Sequence, residues 1–199
     1  MYKIFGFESN EYFGRVAKVE SSVPSRGRYA YLVGSSNAFN KGSFRMRREA
    51  GRWRIRVELP EGVWYYGFSI DGKYAPDSEN PEKTTYRRLS YKFKRETSVA
   101  KISAGDDVYH EPALAYLYSF ADRTHVLPRT VKGKAISTYL ITDERIEMRK
   151  KASDELFDYF EAALPRTEEL SYGFEIETGE GTIEYGNFTA EPRELQVPR

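Results

Sequence analysis

The sequence predicts an all-β chain built as two tandem β-sandwiches, the second of which contains one helix. Residues 52–59 alternate apolar and charged side chains with period two, the pattern of a strand with one buried face. Gly, Pro, Asn and Asp clusters interrupt the chain at short, regular intervals, which is typical of short strands joined by turns. The high counts of 16 Tyr and 12 Phe also favour sheets, because aromatic side chains pack well on a pleated surface.

Every element predicted in the first half is a strand. We predict strands at 15–23, 29–34, 44–48, 52–59, 63–70 and 86–94. Asp71-Gly72 comes directly after the fifth strand and predicts a type I′ turn, which requires positive φ at both central residues. Several short strands, frequent turns and no helix are typical of an immunoglobulin-like β-sandwich. We therefore predict that residues 1–95 form the first domain.

A second immunoglobulin-like sandwich is predicted over residues 107–188. The pattern resets at 96–106, where a short strand is predicted at 99–102 and the polar run Ser103-Ala104-Gly105-Asp106-Asp107 predicts a linker. Residues 189–199 are polar, contain two prolines and are interpreted as a truncated linker towards a further domain.

One helix is predicted inside the second sandwich, over residues 148–164. An apolar stripe recurs there at helical spacing, and Pro165 would end the helix. The stripe consists of Ala152, Leu156, Tyr159, Phe160 and Ala163. The acidic residues between them, including Asp158 and Glu161, are then interpreted as the solvated face of the helix.

Composition excludes several classes of protein. A formal net charge of +1 provides no global field for binding nucleic acid or an anionic membrane. The absence of cysteine excludes disulfides and thiolate metal sites and is compatible with a reducing compartment. The first residues lack the apolar run of a signal peptide, and no stretch has the length of a membrane span. We therefore expect a cytoplasmic protein, and the many Arg, Lys and Glu residues indicate a thermophile.

Residues 12–95 resemble the family 48 carbohydrate-binding modules, which include the glycogen-binding domain of the AMP-activated kinase β subunit. The resemblance rests on four motifs in order: residues 34–41 (GSSNAFNK), 59–68 (LPEGVWYYGF), 71–74 (DGKY) and 77–81 (DSENP). It implies a site in which flat aromatic faces stack on sugar rings while polar side chains bind the hydroxyl groups.

The resemblance places Phe39 and Tyr74 where the family's two platform tryptophans stand. Tyr65 lies on the same strand face as Gly67, the position where the glycogen binders have a lysine, and Lys73 and Lys41 are the cations that remain to replace it. Asn80, in the last motif, completes the implied carbohydrate-binding set. The sequence leaves two interpretations open: a working glucan site, or a sandwich that is only structural. Trp53 and Trp64 are assigned to the core.

The second half resembles the N-terminal family 34 module of cyclomaltodextrinases, neopullulanases and maltogenic amylases. The matching motifs are residues 108–112 (VYHEP), 124–130 (THVLPRT), 157–160 (FDYF), 170–174 (LSYGF) and 185–186 (YG). Modules of both kinds in tandem resemble the front end of archaeal, heat-stable enzymes of this group. The resemblance implies a catalytic (α/β)8 barrel elsewhere in the parent enzyme, with this part of it non-catalytic.

Two functions are implied by these resemblances. In the first, the modules bind an α-glucan or a cyclodextrin near the catalytic barrel. In the second, they form a homodimer contact that shapes the mouth of a partner's active site without binding sugar. The only histidines, His110 and His125, are interpreted as structural, because two histidines without cysteine make a poor metal site. No cofactor, metal or catalytic residue is assigned to this chain.

Overall fold

The computed structural model describes residues 1–87 and 94–196, which form two compact units. One unit contains Met1–Glu8 and Ala17–Ile102, and the other contains Ser9–Val16 and Ser103–Arg199. Each unit is built from two β-sheets, so the predicted all-β class is confirmed.

Among the described residues, ten strands lie wholly or mostly in the first unit. They are β1 (Tyr2–Asn10), β2 (Gly14–Pro24), β3 (Ala30–Gly34), β4 (Phe44–Arg45), β5 (Arg47–Glu49), β6 (Arg52–Pro60), β7 (Gly62–Ile70), β8 (Lys73–Ala75), β9 (Lys83–Arg87) and β10 (Lys94–Ile102). One sheet has the order β1-β2-β6-β5, and the other has the order β4-β3-β7-β10-β9, with β8 also paired to β7. A 3-10 turn, Ser35–Asn37, follows β3.

The core of the first unit follows the period-two pattern of the sequence. Trp53 and Leu59 on β6 are buried, and Ile55 and Val57 pack against the same cluster between them. Trp53 donates its indole N–H to the Arg26 carbonyl at 2.8 Å, which satisfies its one polar group inside the core. The assignment of both tryptophans to the core is confirmed, since Trp64 also packs against this cluster.

The predicted type I′ turn is also present. Asp71 and Gly72 have φ values of 47° and 81°, and Ile70 pairs with Lys73 across the turn. The Asp71 carboxylate accepts the backbone N–H groups of Arg28 and Tyr29 at 2.9 and 3.2 Å. These hydrogen bonds hold the pKa of Asp71 below its usual value.

The structure places residues 96–102 in strand β10, so the short strand predicted at 99–102 is present, and residues 96–98, predicted as the start of the linker, belong to the same strand. Val99, Ala100 and Ile102 are buried in β10, and the strand pairs with both β7 and β9. Arg95 and Glu96 are polar and resemble a linker in sequence, but they occupy the part of β10 that pairs with β9. The remainder of the strand predicted at 86–94 falls on residues 88–93, which lie outside the described residues.

The described residues of the second unit contain eleven further strands. They are β11 (Val108–Tyr109), β12 (Leu117–Phe120), β13 (Arg123–Val126), β14 (Arg129–Val131), β15 (Ala135–Ile141), β16 (Arg145–Glu147), β17 (Arg149–Ser153), β18 (Phe157–Pro165), β19 (Leu170–Thr178), β20 (Gly181–Ala190) and β21 (Arg193–Glu194). One sheet has the order β11-β14-β18-β13-β12-β21, with β17 also paired to β18, and the other has the order β16-β15-β19-β20. Leu117, Leu140 and Phe174 are among the buried side chains of its core.

The helix predicted at 148–164 is wrong, because this segment forms β17 and β18. Strand β18 pairs with β13 and β14 along one edge and with β17 along the other. Its apolar residues fit both a helical and a period-two pattern, and this backbone pairing selects the strand. Phe160 and Ala162 enter the core with period two. Asp154 accepts the backbone N–H groups of Leu156 and Phe157, each at 2.7 Å, and makes a turn rather than a helix start.

The tail predicted as a linker at 189–199 is partly strand. Residues 189–190 complete β20, and Arg193–Glu194 pairs in parallel with Tyr118 and Ser119. Arg166 donates to the Glu194 carboxylate at 2.6 Å, which helps to hold this short strand. Residues 197–199 lie outside the described part of the chain.

Candidate functional site

Three aromatic rings meet on the first unit and form what we call the aromatic cluster: Phe39, Tyr65 and Tyr86. The Tyr86 ring lies 5.0 Å from Phe39 and 4.9 Å from Tyr65 between centroids, with interplanar angles of 30° and 40°. All three side chains are only partly buried. A surface of tilted rings at these spacings can accept a flat, apolar ligand face.

The sheet register explains why two of these rings share a face. Tyr65 on β7 pairs with Val99 on β10, and Arg95 on β10 pairs with Tyr86 on β9. Val99 and Arg95 are four residues apart on one strand, so their side chains point to the same face. Tyr66, the next residue after Tyr65, points to the opposite face and is buried in the core.

Phe39 is supplied by a loop with unusual backbone geometry. Ala38 and Phe39 both have positive φ, 52° and 58°, a conformation that residues with side chains adopt rarely. The Asn37 side chain holds the loop, because its amide donates to the carbonyls of Leu32 and Asn40 at 3.1 and 3.2 Å and its oxygen accepts the Gly34 N–H at 3.0 Å. Residues held in this conformation by their surroundings cluster at functional sites, although the chain also uses it in turns such as Ala50 and Asp71.

Tyr74 occupies the space in front of Gly67. A Cβ atom added at Gly67 would lie 2.5 Å from the Tyr74 hydroxyl and 2.6 Å from its Cζ. The Tyr74 hydroxyl donates to the Glu96 carbonyl at 3.0 Å, and burial raises the pKa of Tyr74 to about 12. The position where the family resemblance implies a lysine is therefore filled by the ring of Tyr74.

Arg95 connects Tyr74 to the aromatic cluster. Its guanidinium carbon lies 4.2 Å from the centroid of the Tyr74 ring, and its backbone pairs with Tyr86. A guanidinium group stacked on an aromatic ring keeps its N–H donors in the plane of the group, where they can bind hydroxyl oxygens. Neither Arg95 nor Tyr86 was assigned to the site from sequence, because their position depends on the register of β9 and β10.

The remaining predicted site residues differ in burial: two are exposed lysines and one is a buried asparagine. Lys41 and Lys73 are exposed, Lys41 after the Phe39 loop and Lys73 at the first position of β8. Asn80 is buried, and its amide donates to the Tyr66 hydroxyl at 3.1 Å and to the Val99 carbonyl at 2.8 Å while its oxygen accepts the Glu82 N–H at 2.9 Å. The structure therefore does not place Asn80 with the other candidates, because its amide is bonded within the fold.

His110 lies in the core of the second unit and is 1% exposed. Its Nδ1 lies 2.8 Å from the Leu127 carbonyl, which can only accept, so Nδ1 carries the proton. Nε2 then accepts from the Tyr172 hydroxyl at 2.7 Å. Burial lowers the pKa of His110 to about 4, so the ring is neutral in the folded protein at neutral pH.

The carboxylates of β18 are not on a solvated face. Asp158 is 1% exposed and accepts hydrogen bonds from Ser153 at 2.6 Å and from the Gly133 N–H at 2.8 Å. Burial alone would raise its pKa, but these bonds and Lys150 outweigh burial and lower the pKa. Glu161 likewise contacts His125 at 2.9 Å and Lys151.

The described residues contain no group of three or more His, Asp or Glu side chains placed to hold a metal ion. Within residues 1–87 and 94–196 the elements are strands and one 3-10 turn, so a catalytic barrel is not part of what they form. The same residues include no helix with the length and apolar character needed to cross a membrane.

Known proteins resemble this chain to different extents. A cyclomaltodextrinase from Bacillus sp is 33% identical over 100 residues, which span 43% of this chain and 18% of that protein. The crystal structure of a maltogenic amylase from S. marinus covers 100% of this chain with a TM-score of 0.75 and 18% identity, and this chain corresponds to 32% of it. At that identity the likeness shows the fold alone.

A family model identifies the second half of the chain more directly. The model described as "Alpha amylase, N-terminal ig-like domain" matches residues 104–196. The two-sheet architecture of the second unit agrees with this match. Residues 104–196 are therefore similar to the N-terminal immunoglobulin-like domain of alpha amylases, and the proteins that resemble this chain include a cyclomaltodextrinase.

Proposed function

We propose that this chain is the non-catalytic N-terminal part of a cyclomaltodextrinase-type glycoside hydrolase and that its first unit binds α-glucans or cyclodextrins. The observation that carries the proposal is the aromatic cluster of Phe39, Tyr65 and Tyr86. The match of residues 104–196 supports the parent enzyme. The catalytic carboxylate pair would lie on the parent's barrel.

The proposed mode of binding is stacking on the aromatic cluster with polar contacts beside it. The axial C–H edges of a glucose ring are apolar and pack against aromatic faces. Arg95 lies next to Tyr86, and the exposed Lys41 follows the Phe39 loop, so both can donate to glucose hydroxyls. Lys73 and Tyr74 would contact a longer glucan beyond Arg95.

We expect Phe39→Ala and Tyr86→Ala to weaken binding of maltoheptaose or β-cyclodextrin by about tenfold each, because each removes one stacking face. Phe39→Trp is expected to tighten binding, since it enlarges the same face. The measurement is an amide chemical-shift titration that follows residues of β7 and β9. Tyr12→Ala is the matched control, because Tyr12 is an exposed tyrosine that belongs to the second unit.

Folded Phe39→Ala and Tyr86→Ala variants that bind as tightly as the unchanged chain would exclude the aromatic cluster as the sugar site. If the unchanged chain itself shows no shift with millimolar maltoheptaose, the binding function fails and an assembly function is favoured.

The second candidate function is assembly, in which the chain shapes a partner's active-site mouth. It is favoured by exposed apolar side chains on the second unit, where Ile136 is 71% exposed and Phe120 is 44% exposed. Such residues are common where proteins contact one another. Sedimentation of the chain would reveal a dimer. If the surface around Ile136 forms the dimer contact, Ile136→Lys should dissociate the dimer.

We further propose that the first unit is a family 48-type module and the second a family 34-type module of a cytoplasmic enzyme from a thermophilic archaeon. Asn37, in the first of the four motifs, supports the first assignment, because it fixes the loop that presents Phe39. Glucan binding would be measured with the whole chain and with variants that change either the first or the second unit. The unit whose variants lose affinity is the one that binds the glucan.

A further inference from the structure

A groove of about 510 Å³ on the first unit is lined mainly by arginines. We call it the arginine groove and define it by its lining residues: Glu20, Arg45, Arg47, Glu49, Arg54, Ile55 and Arg56. It lies apart from the residues of the aromatic cluster, none of which lines it. Four guanidinium groups face two carboxylates, which leaves an excess of two positive charges in a chain whose formal net charge is only +1.

The local fold places these arginines together. Met46 is 2% exposed and anchors the chain in the core between β4 and β5, so Arg45 and Arg47 on either side of it face outward. Arg47 pairs directly with Arg54 across β5 and β6. Like charges directly opposite one another in a sheet are destabilising, so the fold bears a cost at this pair.

Only part of this positive charge is neutralised. Glu20 accepts from Arg54 at 2.6 Å and from Arg56 at 3.2 Å, and its side chain is 10% exposed. No ion pair joins Arg45 or Arg47 to a carboxylate among residues 1–87 and 94–196. Two guanidinium groups in the groove are therefore available to an anion.

We propose that the arginine groove binds a phosphate monoester carried by a small ligand such as a sugar. A phosphate monoester carries close to two negative charges at neutral pH, which matches the excess charge of the groove. Guanidinium groups present parallel N–H donors that fit phosphate oxygens in pairs. This site is independent of the proposed α-glucan function and uses different residues.

Space for the organic part of the ligand lies next to the phosphate position. A second groove of about 560 Å³ shares Arg45 and Arg47 with the first and extends to Tyr29, which is 40% exposed. The ring of Tyr29 can pack against a sugar attached to the phosphate. On this arrangement the ester is expected to bind more tightly than inorganic phosphate.

Protection of the β5 edge is the competing explanation, since charged side chains at a sheet edge prevent pairing with other chains. Edge protection requires charge at the edge strand but does not require two arginines to face each other across β5 and β6. Arg45 also lies on an edge strand, β4 of the other sheet, but Arg54 lines the same groove from β6, which is an inner strand, and edge protection does not account for it. The arrangement of Arg45, Arg47 and Arg54 around one space favours an anion site.

The test is a calorimetric titration of the whole chain with glucose 6-phosphate, inorganic phosphate and glucose at constant ionic strength. We expect both phosphates to bind, glucose 6-phosphate more tightly, and glucose to leave the groove unoccupied. Arg45→Gln and Arg47→Gln are each expected to weaken phosphate binding by about tenfold, and added salt should weaken it further. Arg149→Gln, at an exposed arginine on β17 of the second unit, is the matched control and should bind normally.

Glu20→Gln is expected to raise the affinity for phosphate rather than lower it. It releases Arg54 and Arg56 from their carboxylate partner, so a folded variant should bind glucose 6-phosphate more tightly. Unchanged affinity in folded Arg45→Gln and Arg47→Gln variants overturns the proposal, and concentration-dependent aggregation without loss of affinity would assign these arginines to edge protection. Equal affinity for inorganic phosphate and the ester would refute a site for the ester.

Discussion

Lowering the pH from 7 to 4 is expected to reduce the free energy of unfolding of the second unit by about 3 kcal/mol through His110 alone. In the folded protein burial lowers the pKa of this ring from 6.5 to about 4. In the unfolded chain the ring is solvated and returns to its usual pKa. The neutral ring is therefore compatible with the fold, and the charged ring favours unfolding.

The direction and the pH window are set by these two pKa values. Above pH 6.5 the ring is neutral in both states, so the full stability is present. Between pH 6.5 and about 4 the unfolded chain binds a proton that the folded chain does not, and stability falls over this window. Below the folded pKa both states are protonated, and the contribution of His110 to the loss of stability levels off. Lowered pKa values of Asp158 and Glu161 add losses at more acidic pH.

An amide NMR series in urea at several pH values would measure this loss, with Tyr172 and Phe174 reporting on the second unit. His110→Gln should remove most of the slope between pH 6.5 and 4, because the variant has no ring to titrate. The ring of His110 can also be titrated directly in His125→Gln, in which it is the one remaining histidine. An ordinary pKa for His110 in that variant would contradict the prediction.

The strand pattern of the first half could be predicted from local sequence, and the pattern around residue 155 could not. On β6 the apolar residues have period two and no competing helical pattern, so Trp53 and Leu59 are assigned correctly to one face. On β17 and β18 the apolar residues fit both the period of a strand and the period of a helix. Pairing of β18 along both of its edges then determines the outcome, and that information lies in segments distant in sequence.

The candidate site was predictable to the extent that it depends on loops. The Phe39 loop and the Asp71-Gly72 turn have local turn residues that mark them. Tyr86 and Arg95 could not be assigned, because they reach Phe39 and Tyr74 only through the pairing of β9, β10 and β7. Asn80 was assigned to the ligand because sequence does not show that its amide is bonded to Tyr66 inside the fold.

Gly67→Ala is expected to destabilise the first unit by about 2–3 kcal/mol. The added Cβ would lie 2.6 Å from the Ala75 carbonyl oxygen, which belongs to the backbone of β8 and cannot move without disturbing its pairing with β7. The methyl group would also displace the Tyr74 ring and thereby disturb its bond to Glu96 and its stacking on Arg95. Gly67→Lys should have the same effect, so it would not create a sugar-binding cation at this position.

Tryptophan fluorescence during urea unfolding measures this effect on the first unit, because both tryptophans lie there. Gly6→Ala is the matched control, since a Cβ at Gly6 meets nothing within 4 Å, and it should be neutral or slightly stabilising. In the double variant Gly67→Ala/Tyr74→Ala the loss should be smaller than the sum of the single losses, because the contact with Tyr74 is already gone, while the contact with Ala75 remains. If Gly67→Ala proves as stable as Gly6→Ala, Tyr74 and the Ala75 carbonyl do not pack over Gly67 as described.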